Sequence, residues 1–86
     1  MELITLIETL ENNLTREIVN TKQGNVVSYT DTTPKTVTVN STPYNNVNRL
    51  CLMVKNNITY LYINSYDTKK LTKIAISTIT TITIGA

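Results

Sequence analysis

The hydrophobic positions change rhythm once along the chain. Leu3, Ile7, Leu10, Leu14 and Ile18 recur at spacings of three and four, which is one stripe on a helix. Ile4, Leu6 and Val19 widen the stripe, while Glu2, Glu8, Glu11, Asn12, Arg16 and Glu17 lie mostly off it. The spacing predicts an amphipathic helix over residues 2–20. Glu2 suits the positive end of its dipole, and Asn20 to Gly24 suit its C-terminal cap.

After Gly24 the period shortens to two and the chain reads as β. Residues 25–30 form a short strand, and Asp31-Thr32-Thr33-Pro34 reads as a turn. Residues 36–40 alternate, with Val37 and Val39 on one face and Thr36 and Thr38 on the other. Residues 41–46 read as a loop. Two apolar runs, 47–55 and 58–65, flank Asn56-Asn57, a pair that accepts the positive φ of a tight hairpin. Both runs are apolar on both faces, which predicts central strands covered on each side. Asp67 to Lys70 makes another turn. In residues 71–84 the isoleucines fall out of step at Ile76, Ile79 and Ile82, which predicts a bulge or two short strands broken near Ser77–Thr81.

These elements predict an α+β fold: one N-terminal amphipathic helix packed on an antiparallel sheet of four to five strands, with a partly closed barrel as one way to cover the second face. Residues 1–86 are expected to form a single domain. A chain this short buries only about 60–65% of its unfolded surface, so its margin of stability is narrow.

Composition alters this picture in three ways. First, there is no Phe or Trp, so the core must come from aliphatic residues and five Tyr. Tyr60 and Tyr62 are accordingly expected inside, as is the lone Cys51. Second, Thr (17) and Asn (11) dominate; Thr fits a pleated sheet and Asn fits turns. Third, Ile, Asn, Lys and Tyr total 32 residues against 8 for Gly, Ala, Pro and Arg, an imbalance that goes with an AT-rich genome such as a phage or a low-GC bacterium.

The chemistry on offer is sparse. His is absent, which removes the commonest general base and metal ligand. Two glycines make no phosphate-binding loop, and no cofactor or metal ligand set is apparent. Glu8 and Glu11 share a helix face and read as solvated. Three Asn-X-Ser/Thr triplets match the roughly three that composition alone supplies, so they carry no weight. The sequence predicts no catalytic site and no enzyme. No run approaches the roughly 20 apolar residues of a membrane span, and the acidic N-terminal segment does not read as a secretory signal.

Two binding surfaces are conceivable. The uncharged segment carrying Ile79, Ile82 and Ile84 would be an aggregation hazard as a free edge. Together with Leu3, Ile7 and Leu10 of the helix it makes a candidate protein interface. Alternatively, Tyr60 and Tyr62 with Lys69, Lys70 and Lys73 could stack bases and hold phosphates. The expectation is a non-enzymatic structural or accessory component of a protein assembly. A phage virion protein, such as a capsid auxiliary or head–tail component, fits best, found in the virion or the host cytoplasm. Its partners would be copies of itself or other virion proteins. The alternative is a small phage-encoded binder of nucleic acid or inhibitor of a host protein.

Overall fold

The computed structural model describes residues 1–21, 24–65 and 71–85. It contains helix α1 (Leu3–Asn13) and strands β1 (Thr15–Thr21), β2 (Gly24–Val39), β3 (Thr42–Lys55), β4 (Ile58–Ser65), β5 (Leu71–Ala75) and β6 (Ile82–Gly85), with a single 3-10 turn at Ile76–Thr78. All pairings are antiparallel. The fold is α+β as expected, but the sheet has six strands, not four to five, and it does not close. Strands β1 to β5 pair in chain order, and β6 returns to the edge of β2 beyond β1.

The helix is shorter than its stripe. It ends at Asn13, where the Leu14 N–H donates to the Leu10 carbonyl at 2.8 Å and Leu14 itself is extended. The remainder of the predicted helix is β1, paired residue for residue with the start of β2 from Thr15↔Thr30 to Thr21↔Gly24. Thr15, Ile18, Val19 and Thr21 are β-branched, and a hairpin partner of matching length follows at once. Pairing therefore outweighs the weak helical preference of this half.

Asp31 to Pro34 is not a chain reversal. The residues lie inside the long β2, where between Thr30↔Arg49 and Lys35↔Val47 it advances five residues while β3 advances two. The turn chemistry is still used locally: the Asp31 carboxylate accepts the Thr33 N–H at 3.2 Å. Pro34, which has no N–H for a ladder, falls where β2 has no register partner on β1, β3 or β6. The reversal comes at Asn40-Ser41, both with positive φ, so the predicted loop 41–46 is mostly strand β3. Asn56-Asn57 forms the expected two-residue turn, with φ of 53° and 63°. The break expected near 77–81 is the 3-10 turn and the residues after it.

One core holds the fold. Leu6 and Leu10 from α1 join Tyr29, Val37, Val39, Val47, Leu50, Leu61, Ile63, Ile79 and Ile82. Register places Tyr29, Leu50 and Ile63 in one cross-strand row, and Val27, Leu52, Leu61 and Ile74 in the next. This is the face that α1 covers. Each fully buried Leu or Ile contributes roughly 1.5–3 kcal/mol relative to exposure. The α-amino group of Met1 donates to the carbonyls of Ile76 (3.2 Å) and Ile79 (2.6 Å), joining the helix start to the 3-10 segment.

Candidate binding face

Because side chains alternate along a strand, the covered row dictates its opposite. Behind Tyr29, Leu50 and Leu61 stand Ser28, Cys51, Tyr62 and Lys73 in one cross-strand row. Met53, Tyr60 and Ala75 make the adjacent row, and Arg49 and Asn64 the row on the other side. The helix lies on the far side of the sheet, and Cys51, Met53, Tyr60 and Tyr62 are half-buried. The expected core tyrosine pair and core thiol are therefore corrected. The aliphatic side of β3 and β4 took the helix, and the Tyr, Met and Cys side was left outward.

The face has a defined geometry. The Tyr60 and Tyr62 rings meet edge to face, with centroids 6.4 Å apart and planes at 63°. The Lys73 Nζ lies 4.5 Å from the Tyr60 ring centroid, a cation–π contact. Ser28 Oγ and Cys51 Sγ are 3.1 Å apart and share a hydrogen bond; this satisfies Ser28, which is 1% exposed.

Charge is divided between the two sides of the molecule. Arg16 pairs with Glu11 at 3.2 Å, and Lys35 with Asp31 at 3.5 Å. The remaining described cations, Arg49, Lys55 and Lys73, are exposed, make no ion pair among the described residues, and share the open face by strand parity. Glu17 opposite Ser28 is the acidic residue at that face's β1 edge. Glu2, Glu8 and Glu11 lie exposed on the helix side.

The residues expected at a protein interface separate. Leu10 and Ile79 are 0% exposed and Ile82 is 9% exposed, so all three belong to the core and offer nothing to a partner. They were indistinguishable from surface residues in sequence because β6 is uncharged, yet it pairs with β2 and turns Ile82 inward. Ile7 and Ile84 are half-buried, and Leu3 is exposed. Of the alternative set, Tyr60, Tyr62 and Lys73 do come together, whereas Lys69 and Lys70 lie outside the described residues. Arg49, Cys51 and Met53 complete the face and were not singled out beforehand. Counting back from the Asn56-Asn57 turn gives Cys51↔Tyr62 and Met53↔Tyr60, so the turn register was the signal.

Among the described residues, no three His, Cys, Asp or Glu side chains are grouped to hold a metal ion, and no helix is long and apolar enough to cross a membrane. What the face offers is aromatic edges, a soft Met and Cys strip, and exposed cations at its margin. Comparisons with protein-family models, curated proteins and solved structures found no match to this chain.

Proposed function

We propose that this chain is a non-enzymatic structural component of a protein assembly, acting as an accessory protein of a phage virion. The observation that carries the reading is the one-sided sheet: α1 packs on one face, and the other carries the partly exposed Met53, Tyr60 and Tyr62 with no helix over them among the described residues. Tyr, Met and Arg are the residue types enriched at the centres of protein interfaces. The AT-rich residue usage supports the phage setting. Thr-rich strands of low charge suit permanent contact with other proteins.

The test uses particles from a host carrying the gene. The chain should copurify with them at fixed stoichiometry. Cys51 should alkylate more slowly in the particle than in the isolated chain, because its half-open face is covered there. Absence from particles, or equal alkylation in both states, counts against the reading.

A second reading rests on the Tyr60–Tyr62–Lys73 group beside Arg49, which has the makings of a base-stacking platform with phosphate partners. Oligonucleotide affinity falling steeply with salt, and lost in Arg49→Glu/Lys73→Glu, is its signature.

A further inference from the structure

We infer that the open sheet face is covered by helix α1 of a second copy of this chain, so that copies assemble head to tail. The inference rests on the assembly reading above and names its partner. Three observations point to the same occupant.

The first is charge. The cations of the open face, Arg49, Lys55 and Lys73, have no described ion-pair partners. The helix surface turned away from the core carries Glu8 and Glu11 one turn apart, Glu11 already paired with Arg16. Cations outnumber Glu17 on the open face and acids outnumber Arg16 on the helix side, so two copies meeting sheet to sheet or helix to helix repel, while sheet to helix attracts.

The second is apolar matching. Leu6 and Leu10 define the inward side of α1; Ile4, with Glu8 and Glu11 at i+4 and i+7, therefore points outward. Ile4 is 64% exposed, at the N-terminal end of that acidic stripe. The open face offers it the partly buried Met53, Tyr60 and Tyr62 strip.

The third is size. An 11-residue helix is about 16 Å long and about 10 Å across. Arg49 to Lys55 runs about 20 Å along β3, and the three strands β3 to β5 span about 10 Å. The bare face thus has the footprint of one such helix, and a second α1 there would give the sheet the cover it lacks.

Two different surfaces meet in such a contact, so it does not stop at a dimer. It yields a ring if the rotation closes and a filament if it does not, and either form suits a repeating particle.

The test is sedimentation velocity on the full chain at low and high salt, with two charge-reversed variants. Glu8→Lys/Glu11→Lys alters the helix, and Arg49→Glu/Lys73→Glu alters the sheet. Circular dichroism confirms that each is folded, and unfolded variants are replaced by Ile4→Ser and Tyr60→Ser. The wild type should form species larger than a dimer. Each charge variant alone should lose roughly tenfold or more in association. An equimolar mixture of the two should regain it, because each reversed helix then meets a reversed sheet.

A wild type that stays monomeric at several hundred micromolar overturns the inference; copurification with particles would still stand as a separate result for the assembly reading. So does a dimer broken by the sheet variant alone, which would mean a symmetric sheet-to-sheet contact. Oligonucleotide binding lost in the sheet variant and kept in the helix variant, without self-association, overturns it in favour of nucleic acid.

Discussion

Asn40 holds more of this fold than its exposed position suggests. Its side-chain oxygen accepts the Thr80 N–H at 2.7 Å, the Thr80 hydroxyl at 2.9 Å and the Thr81 N–H at 3.2 Å. Its side-chain amide donates to the Thr78 carbonyl at 2.8 Å, and its backbone N–H to the Thr81 carbonyl at 3.0 Å. One residue thus anchors the connection from the 3-10 turn to β6, and it does so at a φ of 49°. Asn40→Ala removes four side-chain bonds. At the low end for exposed bonds, roughly 0.5 kcal/mol each, that is about 2 kcal/mol. Holding Ala in the left-handed region adds about 1 kcal/mol. The expected loss is about 3 kcal/mol, a large part of the margin of a small domain. Asn40→Gly keeps the backbone freedom and should lose only the bonds. Asn40→Asp keeps the three acceptor bonds and should fall between Gly and the wild type. Urea unfolding followed by circular dichroism measures all three. A loss below about 0.5 kcal/mol for Asn40→Ala, or Asn40→Gly as damaging as Asn40→Ala, refutes the division into bonds and strain.

Three further outcomes follow from the core and the turns. Leu50→Ala, at a site with no exposure in the centre of β3, should cost about 3 kcal/mol by urea unfolding, with little change in slope. The Tyr29 hydroxyl has its pKa raised above 10.0, chiefly by burial and further by Glu11, with Arg16 opposing. Its folded pKa exceeds its unfolded one, so its contribution is complete below pH 10 and is lost as pH rises beyond it. Stability should fall above pH 10, and less so in Tyr29→Phe when the two unfolding curves are compared across pH 9–11. Asn57 has a φ of 63° at the second turn position, where Gly is preferred, so Asn57→Gly should raise the urea midpoint by the equivalent of about 0.5 kcal/mol.

Local signals were legible where one residue decides the geometry. Asn56-Asn57 gave the central hairpin to the residue, because two adjacent positive φ values leave little choice of register. The slip from Ile76 to Ile79 to Ile82 located the break, since a gap of three cannot stay on one face of a strand. Signals failed where the decision is made far away. Ile18 continues the helical stripe, yet its position is set by pairing with Val27. Asp31 to Pro34 carries turn residues, but β3 continues alongside and β6 returns from some fifty residues downstream, which keeps β2 running straight through. That the helix could cover only one face of the sheet was legible from the two-sided hairpin. Which face it was depended on where the helix settled, and periodicity in β3 and β4 does not record that.

The chain supplies its own control for whether the open face is a surface like any other. Thr42, Thr80 and Thr83 are exposed off that face, although Ile18, Val54, Ile58 and Leu71 are exposed strand positions too. Had the open face only to meet water, Thr would serve, and it suits a pleated strand well. At its centre stand instead Met53, Tyr60 and Tyr62, in a protein with only five Tyr and two Met. Converting those three to Thr separates the two roles such residues can have. If they support the fold, each Tyr lost should cost about 3–5 kcal/mol, as large aromatics do in a core, and the triple variant should not fold. If they serve a partner, the isolated variant should lose only its partial packing and edge-to-face contact, about 1–2 kcal/mol in total. It should unfold cooperatively in urea while losing self-association. A folded triple variant that still assembles at wild-type strength would show that this face is not the binding surface.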